Sequence, residues 1–142
     1  MTKFSQLNRG WNADPNAPVP RVSVIGTDVL VTFYVNAFQF PGFVEGTTAA
    51  LRFNNCQRYR LGPTNDEGWY MGKCRFSQLA PAWGEFYAVS GEPDVLLGPT
   101  DWIMLAAASR AGSAGHYLFY FRDETFECVA DDWEVQLPST LS

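Results

Sequence analysis

The residues best suited to chemistry lie close together near the C-terminal end, in His116-Tyr117-Leu118-Phe119-Tyr120-Phe121-Arg122-Asp123-Glu124-Thr125-Phe126-Glu127-Cys128-Val129-Ala130-Asp131-Asp132-Trp133. An imidazole beside a carboxylate can be oriented to move a proton, and a carboxylate beside a guanidinium is held ionised. His116 with Asp131 has the first composition and Glu127 with Arg122 the second. With Tyr120 they define one candidate pocket. The competing expectation is that these are charged pairs across a solvent-facing strand pair, each contributing about 0.2–1 kcal/mol.

Other chemistries find less support. Ser109 and Ser113 lack the GxSxG setting of an activated serine, so no catalytic nucleophile is assigned. One histidine does not make a multi-histidine metal site, and no carboxylate spacing marks a calcium loop. No cofactor or metal is therefore expected. Gly62, Gly68 and Gly72 have turn spacing rather than that of a phosphate cradle. Cys56, Cys74 and Cys128 are an odd number of thiols, far apart and without CxxC, which predicts reduced and mostly buried cysteines.

The elements that must position these residues are strands. Around Asp123-Glu124, a two-residue loop or a four-residue one including Arg122 and Thr125 gives one register. Phe121 then faces Phe126, Phe119 faces Cys128, and Tyr117 faces Ala130. That face is wholly apolar and is assigned to the core. The other face pairs His116 with Asp131, Leu118 with Val129, and Tyr120 with Glu127.

A second hairpin is read at Arg21–Ile25 and Val29–Asn36, with Gly26-Thr27 or Thr27-Asp28 as its loop. Either loop puts Val22, Val24, Val29, Val31, Phe33 and Val35 on one face, and that face is core. Ser23, Ile25, Leu30, Thr32 and Tyr34 form a half-polar opposite face that is expected to be partly covered. Further strands are read at 50–53, 57–61, 69–76 and 84–89. Residues 37–47 form a loop with apolar anchors, and 62–68 a dense turn cluster. Residues 101–108 fit a helix capped by Asp101, or a short buried strand at Trp102–Leu105.

The expected fold is therefore mainly β, with a β-rich α+β alternative. It is a single domain over 1–142, whose antiparallel hairpins form a sheet or sandwich with one or two short helices. Residues 1–20 are an extended lead-in, marked by the prolines of 11–20, and 138–142 are a C-terminal tail.

The bulk composition agrees with a folded domain. The chain has 142 residues, 46% of them hydrophobic and 15% aromatic, which suits a sheet-rich core. Its net charge of −5 is repelled by nucleic acid and by anionic membranes and suits a basic partner. Residues 1–9 carry no apolar export segment, and no run reaches the ~18 apolar residues of a membrane span, so a cytoplasmic location is expected.

The block 116–130 and the upstream Pro63-Thr64-Asn65-Asp66-Glu67 carry a resemblance. They resemble uncharacterised small bacterial proteins with an HxxxxFxDxTFECxA signature and a PxNDE turn, over roughly residues 50 to 133. Some of these look like immunity proteins of toxin systems, which block a cognate toxin by binding it. The resemblance implies a binding function and transfers no catalytic residue.

Two functions follow as expectations. The first is a non-enzymatic binding protein for a cognate toxin or another basic protein. Its candidate contacts are Asp66, Glu67, Trp69, Asp123, Glu124, Asp131 and Asp132, because loop carboxylates beside aromatics suit recognition of basic surfaces. The second is a small enzyme or ligand-binding domain that uses His116, Tyr120, Arg122 and Glu127.

Overall fold

The computed structural model describes residues 3–62, 84–90, 102–105, 115–121 and 124–138. Among the described residues ten strands follow one another: β1 (Lys3–Gln6), β2 (Arg21–Ile25), β3 (Asp28–Tyr34), β4 (Thr48–Asn54), β5 (Arg58–Gly62), β6 (Phe86–Ser90), β7 (Ile103–Met104), β8 (Gly115–Tyr120), β9 (Thr125–Ala130) and β10 (Asp132–Gln136). They form a six-stranded sheet of order β1-β6-β8-β9-β5-β7 and a four-stranded sheet of order β10-β4-β3-β2. Every ladder is antiparallel. The described residues contain no helix, so the short helices expected from the sequence are not found among them. Nor is there among them a helix long and apolar enough to cross a membrane.

Alternation of side chains explains how the sheets pack. The inner faces contribute Val29, Val31, Phe33, Ala49, Leu51 and Phe53 from the small sheet, and Phe86, Tyr117, Phe119, Phe126 and Cys128 from the large one. Their rings meet across the interior: Phe33 and Phe119 lie 5.4 Å apart, Phe53 and Phe126 5.3 Å apart. Such edge and offset contacts add to the burial of large apolar area, at about 25 cal/mol per Å². The arrangement is a sandwich of two sheets around one aromatic core.

The β2–β3 hairpin turns on Gly26-Thr27, since Ile25 pairs with Asp28. Gly26 has φ 64, a left-handed conformation that glycine adopts without steric cost. Its expected core face is correct, but Val24 remains 44% exposed because β2 is the edge of its sheet. Of the opposite face, Leu30 and Thr32 are half-buried, while Ser23, Ile25 and Tyr34 are exposed.

The N-terminal lead-in does more than the sequence suggested. Residues 3–6 form β1 and pair with β6. Trp11 is buried and stacks on Phe33 at 5.9 Å. The buried Asn8 ties the segment down: its Nδ2 donates to the carbonyl of Trp11 at 3.1 Å, and its Oδ1 accepts from the Phe86 N–H at 3.0 Å. These bonds satisfy backbone groups that would otherwise be buried without partners.

Within the ambiguous stretch 101–108, residues 103–104 are a strand, β7, on β5, while 101 and 106–108 lie outside the described residues. Ile103 and Met104 are 50% and 65% exposed, so it is an edge strand rather than a buried one. The expected strand at 69–76 and the turn at 63–68 lie outside the described residues.

Candidate functional site

The last hairpin keeps its faces and changes its register. The ladder pairs Tyr120 with Thr125, Phe119 with Phe126, Leu118 with Glu127, Tyr117 with Cys128, and His116 with Val129. Phe121 N–H donates to the Glu124 carbonyl at 2.9 Å. The pairing is two residues away from the expected one. A slip of two residues preserves which side each residue faces. Tyr117, Phe119, Phe121, Phe126, Cys128 and Ala130 are therefore in the core, as expected.

The cross-strand partners do change. His116 does not pair with Asp131, and Tyr120 does not face Glu127. Instead His116 Nε2 and Glu127 Oε2 are hydrogen-bonded, diagonally across β8 and β9. Strand β5 supplies a third member, because Arg60 is the direct cross-strand partner of Glu127. Arg60 Nη1 lies 3.4 Å from Glu127 Oε1. Thus Glu127 has an imidazole on one carboxylate oxygen and a guanidinium on the other.

The expectation of a solvent face is corrected. Glu127 is only 1% exposed, and His116 and Tyr120 are buried. Tyr87, Val89, Leu118 and Tyr120 form a second apolar cluster on this outer face of the large sheet, with Phe4 against it. A buried carboxylate is costly unless ionic and hydrogen-bonding partners surround it, and here both kinds are present. Arg122, the guanidinium expected beside Glu127, lies outside the described residues. Arg60 takes that place. Its signal in the sequence was the alternation Arg58-Tyr59-Arg60-Leu61, which puts an arginine on the face opposite Tyr59.

At one end of the sandwich the chain crosses between sheets twice, from β4 to β5 and from β9 to β10. Asn55 makes the first turn with φ 51, a left-handed conformation asparagine tolerates. Asp28 holds it: Oδ1 accepts the Asn55 N–H at 2.9 Å, and Oδ2 accepts from Arg52 Nη2 at 2.6 Å. The backbone bond from Asn55 and the Arg52 guanidinium hold the Asp28 carboxyl below its ordinary pKa.

Two predicted contact residues meet this corner. Asp131 Oδ2 accepts from Asn55 Nδ2 at 2.9 Å, and Asp132 Oδ1 accepts from Asn54 Nδ2 at 2.6 Å. Asp131 is half-buried; Asp132 is exposed, followed on the same face of β10 by exposed Glu134 and Gln136. Trp133 and Val135 point the other way, onto the core. Glu124 is half-buried at the distal end of the hairpin, away from this corner. Asp66, Glu67, Trp69 and Asp123 lie outside the described residues. The structure thus unites Asp131 and Asp132 and separates both from Glu124. Asn54, Asn55, Asp28 and β10 itself were not singled out in the sequence; the Asn54-Asn55 dipeptide between strand runs was the available cue.

Within the core, Cys56 and Cys128 are free thiols, and Cys56 Sγ donates to the Arg58 carbonyl at 3.2 Å. Burial, then the contact with Cys56, pushes the Cys128 thiol well above its ordinary pKa. Interaction with the Cys128 thiol, with backbone contacts, lowers that of Cys56.

Among the described residues, no group of three or more histidine, cysteine, aspartate or glutamate side chains is arranged to hold a metal ion. Comparisons of the chain with protein-family models, with curated proteins and with solved structures give no match.

Proposed function

We propose that this chain is a non-enzymatic binding protein, a cytoplasmic immunity protein that neutralises a basic toxin by direct contact. The observation that carries the reading is the outward row of β10. Asp132 and Glu134 are exposed on it beside Asp131, and Asn54 and Asn55 hold the two aspartates in place. Among the described strands, β10 borders only β4, which puts it at the edge of its sheet. An acidic edge strand on a chain of net charge −5 suits a basic partner, because complementary potentials speed encounter and fix orientation. The resemblance of residues 116–130 to proteins that look like toxin immunity proteins supplies the class of partner.

The hairpin chemistry fits this reading. His116 and Glu127 are buried in mutual contact with Arg60 nearby, a use that stabilises the strands presenting the corner.

The test is co-expression with the product of the adjacent gene, read as growth rescue and as a co-purifying complex. A complex is expected, with association slowed about tenfold or more by D132K together with E134K, and with weaker salt dependence. No complex and no protection with any neighbouring candidate would overturn the proposal.

A further inference from the structure

A cleft of about 250 Å³ opens at the opposite end of the sandwich, between the lead-in, the loop after β3 and the start of β6. Its walls include Asn12, Asp14, Pro15, Gln39, Glu85 and Phe121. We infer that this cleft is a receptor for a guanidinium group, the side chain of an arginine presented by a protein partner. The inference deepens the proposed function and rests on it for the source of the arginine.

The buried amides are committed to shaping the cleft. Asn12 Nδ2 donates to the Gly84 carbonyl at 2.7 Å, and Asn12 Oδ1 accepts the Ala13 N–H at 2.8 Å. Asn36 Oδ1 accepts the N–H groups of Phe38 and Gln39 at 3.1 and 3.0 Å. These bonds fix the loop that carries Gln39.

The carboxylates are oriented but only half used. Glu85 Oε2 accepts from Gln6 Nε2 at 3.0 Å and from Asn8 Nδ2, which leaves Oε1 without a hydrogen-bond partner among the described residues. Asp14 Oδ1 accepts the N–H groups of Asn16 and Ala17 at 2.8 and 3.0 Å, which leaves Oδ2 in the same condition. Each carboxylate is held from one side by amide donors, so its orientation does not have to be selected on binding.

The charge of the cleft points to the ligand. Two carboxylates line it, and no lysine or arginine does so among the described residues. Pro15, exposed at the rim, adds apolar wall for an alkyl stem. A guanidinium suits this combination better than an ammonium. It is planar, less strongly hydrated, and presents donors in several directions to separate acceptors.

The probe is the tripeptide acetyl-Gly-Arg-Gly-amide, titrated into the intact protein and followed by the side-chain amide NMR signals of Asn12 and Gln39. Saturable shifts are expected at millimolar peptide, with acetyl-Gly-Gln-Gly-amide giving none. E85Q should weaken binding at least tenfold. Because Glu85 also braces Gln6 and Asn8, Q39K is the second variant; it places a competing cation at the cleft from a loop and should also abolish binding. Absence of saturable shifts, or an equal response to the glutamine peptide, would overturn the inference. A partner complex that forms normally with both E85Q and Q39K would overturn it while leaving the proposed function standing. Peptide binding without any partner complex would retain the receptor and remove the immunity reading.

Discussion

His116 and Glu127 face each other diagonally across the central strands of the large sheet, and both are buried there in hydrogen-bonded contact. Their contact, with Arg60 on the second carboxylate oxygen, makes Glu127 the hub of a polar cluster inside an otherwise apolar layer. Removing a hub of this kind strands the partners it satisfied. Glu127→Ala should destabilise the protein by about 3–5 kcal/mol, the range for breaking a buried ion pair. A double-mutant cycle of His116→Ala with Glu127→Ala, read by urea unfolding, should give a coupling of about 1–3 kcal/mol. Additive single effects would show that the two side chains contribute independently.

Asp28 gives a pH-dependent prediction. Its folded pKa is below the unfolded one, so its stabilisation is fully present above roughly pH 4 and is lost as pH falls through the lower folded value. Asp28→Ala should lower stability at pH 7 by about 1–2 kcal/mol, mostly from the lost bond to Asn55 N–H. The Arg52 side chain is 40% exposed, so solvent screening reduces the ion-pair share to a few tenths of a kcal/mol, roughly. The variant should lose stability less steeply than the parent below pH 4. Equal acid slopes would contradict this role.

Phe53 joins the two sheets, with ring centroids 5.3 Å from Phe126, 5.5 Å from Tyr117 and 6.0 Å from Phe86. It is completely buried. Phe53→Ala should cost about 3–5 kcal/mol and lower the melting temperature accordingly, because both apolar contact and cavity formation contribute. Phe38→Ala, at an exposed ring in the loop after β3, should change stability by about 0.5 kcal/mol or less. Similar losses at both positions would argue against the sandwich core.

The thiols of Cys56 and Cys128 should be protected in the native protein. Both are buried, and Cys128 is held in its protonated form by its surroundings. In a Cys74→Ser background, alkylation by iodoacetamide near pH 8 should proceed only as fast as the protein unfolds, and should become rapid in urea. Rapid labelling of either thiol under native conditions would contradict their packing.

The sequence alone determined a mainly β fold, the apolar faces of two hairpins and most of the aromatic core. That information is local: alternation has a period of two, so the sorting of Tyr117, Phe119, Phe121, Phe126, Cys128 and Ala130 survives the two-residue change in register. Only the tertiary structure decided which residues meet across the strands. Neighbouring β5 and β6 constrain the ladder, and the result joins His116 to Glu127 instead of Asp131. It also decided that Lys3–Gln6 and Asp132–Gln136 are strands, because neither short run has a strong apolar alternation of its own and each is formed by pairing with a distant partner. The polar face became interior for the same reason: the burial of a sheet face depends on what packs over it, and that is a long-range property which the alternation of a single hairpin does not encode.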